Sequence, residues 1–537
     1  MKSILLVVIV WIAGAGVVQS QQTKITLNCT GTNDTSEFNR IVSSTGPNSA
    51  TLKLPAQGAK RCAVSQATIP ANIILDNTDG AGITLKTGGT LRILGNVINP
   101  AGKQIFFNAL AGQGSISFSG NKYLSVIYPE WWGAKTTTDD APSLNACSAA
   151  AATLIAADID LVSTYNLSST WQVGPGSPYT FISLKGHGSG SGGTTLNWVG
   201  ATDGLLLKFW ANKYSNIERI RFQNGVSVGH TVGLRFTGPG NGTQSNNINI
   251  DNCVFAGFYY GLQAGDPTTD AAVSELSFRN VVFERNDTGF LGTSTGNTLD
   301  ITFLTCSFVT NKSVGLDLGS SSDCHLFGGL FGENGIDIVG TAWTQTLSIN
   351  GARFEMFNPE VSLLVGGVGT VAIRNCSFLG DTSRLTEKVI IRGETSLTFE
   401  NNYVGRPGDS WTVYDFGTGG AGKDYQFVAT SNIVRGKLLH IRPDNSVIDG
   451  LTTLINGVRG EVVWPALIPD ALAGQGQLSE GALHVKLTPR RNTNYSIALS
   501  SDGDERLHFA HKTVDGFEIV SSNRTSNSNV TWSVAKN

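Results

Sequence analysis

The chain has 537 residues, 64 of them glycine, with 15% charged residues, two methionines and a formal net charge of -3. Glycine is above its usual share of about 7% and charge below its usual quarter or so, a balance that suits β-structure with many turns. A nearly neutral chain without a basic cluster offers nucleic acid no electrostatic attraction, so no nucleic-acid partner is expected. The length exceeds one ordinary compact core, but a solenoid grows along one axis and escapes that limit.

At the start, Lys2, the apolar run Ile4 to Ile12 and Val18-Gln19-Ser20 form the three regions of a secretory signal peptide. Residues 1–20 are therefore expected to be removed and the mature chain to be secreted or held at the cell surface. A retained anchor is the alternative, though the run is short for a spanning helix. No other segment could span, so no membrane span is expected after signal removal.

Residues 21–128 alternate short apolar stretches, among them Ile73-Ile74-Leu75, Ile83-Thr84-Leu85 and Ile105-Phe106-Phe107, with Gly, Asn and Asp turns, and read as a β-rich lead-in or cap. Cys29 and Cys62 can pair in an oxidising compartment. Seven cysteines are an odd number, so the set is no closed disulfide framework. Next comes Tyr128-Pro-Glu-Trp-Trp-Gly-Ala-Lys135, followed by Asp139-Asp140, Pro142 and an alanine-rich run, which predicts a capping helix at about 140–155. The two aspartates are expected to cap it and not to catalyse.

From Ser215 to Val404 eight segments repeat: Ile217–Phe222, Ile250–Phe255, Phe278–Phe283, Phe303–Phe308, Leu326–Phe331, Ile349–Phe354, Ile373–Phe378 and Phe399–Val404. After a longer first step their spacing is roughly 23 to 28 residues, the period of a solenoid. Each reads in, out, then breaks at its third residue: Arg219, Asn252, Asn280, Thr305, Gly328, Gly351, Asn375 and Asn401. Asn and Gly tolerate a left-handed backbone, so a sharp bend is expected there, between short strands. Three strands per turn, stacked about 4.8 Å apart, fit such a repeat. Cys253, Cys306 and Cys376 fall in one inward column on non-neighbouring rungs, too far apart to bridge, and read as core filling. No histidine spacing supports a metal site, and no cofactor is expected.

The bend of Asn or Gly between short strands resembles the right-handed parallel β-helix of the pectate-lyase superfamily. The Trp-Gly-Ala-Lys135 turn and Asp139-Asp140 are similar to the entry motif of its rhamnogalacturonase/epimerase-like members, with Thr136-Thr137-Thr138 in place of the usual Gly-Asp-Gly. Gly186-His187-Gly188 is similar to a polygalacturonase motif, but it lies too early and lacks paired aspartates upstream, so a turn histidine is expected. The fold class is thus all-β: a parallel β-helix over 129–460 with a short capping helix. Pro465, Pro469 and Gly474 to Gly476 mark a linker at 461–476. Short strands over 477–537 predict a small β-sandwich that resembles the C-terminal modules of phage tail-fibre-like and bacterial surface proteins.

The resemblance implies polysaccharide as partner, with a polysaccharide lyase or a glycoside hydrolase as the activity; a non-enzymatic glycan-binding spike or adhesin is the alternative. Whether the chain is an enzyme is left open. Aligning Gly315-Leu-Asp317-Leu with Gly335-Ile-Asp337-Ile puts Asp317 and Asp337 in one outward column, a carboxylate pair able to divide acid and base roles, with Glu333 as a third member. A solvated wall with two aspartates by chance is the alternative. Tyr259, Tyr260 and Trp343 are candidate sugar platforms, packing against a flanking loop being an equal contender. Leu304, Phe327, Val282 and Leu330 point outward by parity, an apolar patch that calls for a partner or a covering segment. With the fibre-like tail, a homotrimer is the partner expected, a covering loop or the terminal module the alternative.

Overall fold

Alternating apolar residues build a solenoid only if each strand finds a parallel partner one turn later, and here they do. The chain is seen in a computed structural model that describes residues 23 to 536 apart from stretches between elements, the longest being 239–244, 381–387, 417–424, 442–450, 464–470 and 487–494. The expected signal peptide lies outside the described residues, as does Trp343. One turn runs through Ser245–Asp251 on sheet A, Val254–Ala256 on sheet B and Tyr260–Ala264 on sheet C. Each strand pairs in parallel with its counterpart in the next turn, Ile250 opposite Phe278, Phe255 opposite Phe283 and Leu262 opposite Phe290. The protein is an all-β parallel solenoid.

The bends lie where the sequence places them. Arg219, Asn252, Asn280, Thr305, Gly328, Gly351, Asn375 and Asn401 all have φ between 52° and 75°. Asparagines at and beside the bend join side chain to side chain, Asn401 Nδ2 donating to Asn375 Oδ1 at 2.7 Å and Asn375 Nδ2 to Asn350 Oδ1, just before the Gly351 bend, at 2.8 Å. Inside, Phe222, Phe255, Phe283, Phe308, Phe331, Phe354 and Phe378 stack with centroids 4.5–5.2 Å apart. Cys253, Cys306 and Cys376 are buried free thiols.

Between sheets B and C a second left-handed column, Gly257, Arg285, Thr310 and Glu333, turns the chain again. Beside it Asn286, Asn311 and Asn334 are buried. Asn311 Oδ1 accepts from the backbone N–H and the amide of Asn286, at 3.2 and 3.1 Å, while Asn311 Nδ2 donates to Phe283 O and Asn334 Oδ1, at 3.0 and 2.9 Å. The second residue of each sheet C strand, Gly261, Gly289 or Gly315, lies against this ladder; a Cβ on Gly289 would lie 2.4 Å from the Gly315 carbonyl oxygen and 3.3 Å from the Asn311 amide nitrogen. A second buried ladder links Asn402 to Asn432, with Asn402 Nδ2 3.1 Å from Asn432 Oδ1.

Residues 23–127 also pair in parallel. Thr23–Thr26, Ala50–Lys53, Ile73–Asp76 and Val97–Ile98 form one sheet; Cys62–Ile69, Ile83–Ile93, Phe106–Phe107 and Ser115–Ser117 form another. Helix α1, Thr35–Ser44, which the sequence reading did not anticipate, buries Phe38 and Ile41. A disulfide joins Cys29 and Cys62. Helix α2, Ala141–Ala151, is the capping helix. Asp140 is itself helical in backbone (φ -94°, ψ -8°), and its carboxylate reaches past the helix to the N–H groups of Lys135 (2.8 Å) and Asn166 (3.1 Å). Asp139 accepts from Ala141 and Ser168 at 3.2 and 3.0 Å. The pair therefore satisfies strand-edge donors as well as the helix start. His187 stands on an exposed turn, its Nε2 2.7 Å from Asp160.

At the far end the expected linker carries a strand, Ala471–Gln477. It pairs in parallel with Leu451–Asn456 and antiparallel with Asn529–Lys536, so the tail is joined to the last turn through one shared strand. That strand, Asn529–Lys536 and Tyr495–Ser501 form one antiparallel sheet; Ala482–Lys486, Gly516–Ser521 and Leu507–Thr513 form the other. Phe517 meets Trp532 edge-on across them at 5.8 Å. Among the described residues no helix is long and apolar enough to cross a membrane.

Asn311→Ala should be strongly destabilising, since it orphans partners on two neighbouring turns at about 1–3 kcal/mol each. Denaturant unfolding should show a clearly lower midpoint for Asn311→Ala and only a small change for the exposed Asn401→Gly; equal midpoints would contradict the ladder's role.

Candidate functional site

The expected carboxylate pair is not assembled. In sheet C, Val314–Asp317 pairs with Ile336–Gly340 so that Leu316 faces Ile338 and Asp317 faces Val339; Asp337 stands opposite Gly315. The alignment of Gly335 with Gly315 is off by two residues, because Gly335 belongs to the bend, where a Cβ would press on the carbonyls of Lys312 and Ser313. Asp337 takes the buried position next to the inward Ile338 that Gly315 holds next to Leu316 one turn earlier, and is itself fully buried. It accepts from Asn334 Nδ2 at 2.9 Å and Ser362 Oγ at 2.7 Å, taking the place that glycine holds on earlier turns. Burial pushes its carboxyl up to about 6, against the pull of those bonds and of the Lys388 charge. Asp317 stays on the outer face, partly buried, with the Gly319 N–H 3.0 Å away, and burial raises its carboxyl. Glu333 is exposed in the left-handed bend, φ 56°. Tyr259 and Tyr260 pack on each other edge-to-face at 4.6 Å, with His230 4.7 Å from Tyr259.

A different set of residues meets on the outer face of sheet A. Tyr214, Asn247, Glu275 and Asp300 occupy one column within the strands Lys213–Glu218, Ser245–Asp251, Val273–Arg279 and Thr298–Leu304, and all four have φ between 49° and 57°. Each kinks its strand between two regularly paired residues. The kinks open a groove of about 540 Å³ along four turns, lined also by Asn216, Asn249, Ser277 and Thr302. Tyr214 is 68% exposed at one end. Asn247 Nδ2 donates to the Glu275 carboxylate, and Asn249 Nδ2 to Asn216 Oδ1 at 3.1 Å. Beyond Thr302 the face continues through His325, whose ring lies parallel to that of Phe327 at 6.5 Å.

Glu275 and Asp300 stand on adjacent turns, with Cα atoms about 4.8 Å apart by strand spacing. Side chains from neighbouring positions of one column can bring their carboxyl groups within the several ångströms over which two carboxyls share the cleavage of a glycosidic bond. The groove lining holds no lysine or arginine. The sequence reading missed these residues although a signal was present: Tyr214, Asn247, Glu275 and Asp300 each stand three residues before the first apolar residue of their unit.

No family model matches the chain, and no curated protein matches it. Solved structures do. The enzymatically active domain of bacteriophage CBA120 tailspike protein 2 matches at 14% identity and TM-score 0.40, over 63% of this chain and 48% of that one, so the chain spans about half that protein's length. The A-module of the mannuronan C-5 epimerase AlgE6 of Azotobacter vinelandii matches at 13% identity and TM-score 0.42, over 63% and 95%. PfbA, a surface adhesin of Streptococcus pneumoniae, matches at 10% identity and TM-score 0.31, over 94% and 99%.

Because the Asp337 carboxyl titrates above its unfolded value of 3.8, the folded chain holds this proton more firmly, and the site loses stability as pH rises from about 4 to about 6. Asp337→Asn cannot titrate. Unfolding midpoints measured across pH should therefore give a difference between wild type and Asp337→Asn that declines through this window and is flat above it; a difference constant from pH 4 to 7 would contradict the buried assignment.

Proposed function

We propose that this chain is an exported polysaccharide-binding protein of the pectate-lyase superfamily, a right-handed parallel β-helix that lays a glycan along sheet A and hydrolyses it with Glu275 and Asp300. Residues 1–20 are the export signal in this reading. The observation that carries it is the kinked column itself: one functional side chain per turn, in a groove whose repeat is close to the length of one pyranose unit. Asn216, Asn249, Ser277 and Thr302 supply donors and acceptors for hydroxyl groups, and the exposed face of Tyr214 suits the apolar face of a sugar ring. Asn247 orients the Glu275 carboxylate, which suits it to act as nucleophile or base; Asp300 then protonates the leaving oxygen.

Glu275 and Asp300 are both exposed, and that favours the second reading, a non-enzymatic adhesin, because acid and base gain most where water is excluded. A panel of polysaccharides separates the two. Glu275→Gln and Asp300→Asn should each lower the release of reducing ends by about a hundredfold or more while leaving binding in place. Tyr214→Ala should weaken binding by up to about tenfold. Binding with no turnover by the wild type would leave the adhesin.

The outward pair Leu304 and Phe327, in register with each other and 41% and 42% exposed, is the apolar surface through which three copies would meet side by side. Light scattering on the mature chain at micromolar concentration should give a trimer mass that Phe327→Asp reduces. A monomer mass that the variant leaves unchanged would end the trimer.

A further inference from the structure

A second cleft, of about 790 Å³, lies in the N-terminal unit. We propose that it binds an anionic saccharide through Lys60, Arg61 and Lys103. All three cations line it, and the lining contains no aspartate or glutamate. The heads of Arg61 and Lys103 are held in place before any ligand arrives. The Arg61 guanidinium lies 3.6 Å over the Phe107 ring, and its Nε donates to the Ala81 carbonyl at 3.1 Å, which leaves the terminal nitrogens for an outside acceptor. A fork fixed in this way matches the two oxygens of a carboxylate or a sulfate. Lys103 Nζ donates to the carbonyls of Asn77 and Thr78, both at 3.0 Å, with one proton left over.

The two walls are tied together covalently. Thr30 to Thr32 follow Cys29 directly and Lys60-Arg61 precede Cys62, so the Cys29–Cys62 disulfide joins the walls at their base. Their packing is close: a Cβ on Gly31 would lie 3.3 Å from that of Lys60. The nearby Asp34 is buried, and its carboxylate faces the backbone N–H groups of Thr30, Gly31 and Ala63, at 2.7, 3.1 and 2.9 Å. Gln57 and Gln104 border the cations with groups suited to hydroxyls. The only aromatic face in the lining is covered by a guanidinium, which leaves no platform for stacking a base and points to a sugar in preference to a nucleotide.

The test titrates three probes calorimetrically into the full mature chain: trigalacturonate, a heparin-derived sulfated tetrasaccharide and neutral maltotetraose. At least one anionic probe should bind, more weakly as salt rises, and which one binds distinguishes carboxylate from sulfate. The Lys60→Gln, Arg61→Gln double variant should lose about tenfold or more in affinity for it. Reduction of Cys29–Cys62 should weaken the same binding. Glu275→Gln, Asp300→Asn should leave it unchanged, which separates this site from the sheet A groove. The proposal falls if neither anionic probe binds, if maltotetraose competes equally, or if a double variant with wild-type circular dichroism and melting binds the anion as well as the parent.

Discussion

A buried bend can exist only if its amide groups find partners, and in this solenoid the partners are on the neighbouring turns. Asn311 joins three turns by four hydrogen bonds, and Asn402 and Asn432 repeat the arrangement further along. An unpaired buried donor or acceptor costs about 1–3 kcal/mol. A slip of one residue would orphan several at once and would turn every side chain of the strand to the opposite face. The ladders therefore set the register, and the stacked phenylalanines fill the space that the register leaves.

The outer surface inherits that register as columns. On sheet A one column runs Lys185, Glu218, Asp251, Arg279, Leu304, Phe327, Asn350, Arg374, Glu400. Arg279 pairs with Asp251 and Arg374 with Glu400, each at 2.6 Å, on either side of the apolar pair. Exposed ion pairs of this kind contribute little to stability. What they do is leave Leu304 and Phe327 as an isolated apolar step in an otherwise polar wall. The groove lies on the same face, where the kinked column splays Tyr214, Glu275 and Asp300 outward.

Both ends of the solenoid have open strand edges, which would otherwise template further pairing. At one end Asp139 and Asp140 satisfy donors of the edge strand and helix α2 packs beside them. At the other the strand Ala471–Gln477 belongs to the last turn and to the antiparallel tail together. The N-terminal unit has its own device, a disulfide that holds the walls of a basic cleft.

The bend column, the inward phenylalanines and cysteines, the capping helix and the outward Leu304 and Phe327 were all legible in the sequence, because each depends only on local parity and on which residues accept a left-handed backbone. Asp337 shows where that reasoning stops. Period-two parity predicts in or out along one strand, but the sheet C strands bury two successive residues, Gly315 and Leu316 on one turn and Asp337 and Ile338 on the next, and a Gly-to-Gly alignment starts the second strand two residues early; only the paired strands reveal it. A polar residue can also point inward when a ladder is there to bond it, so polarity was a false guide to exposure. The sheet A groove was missed for the converse reason. Tyr214, Asn247, Glu275 and Asp300 keep a constant offset from the repeat, yet the loops before them vary in length, and the meaning of the offset appears only when parallel pairing stacks the four residues into one column.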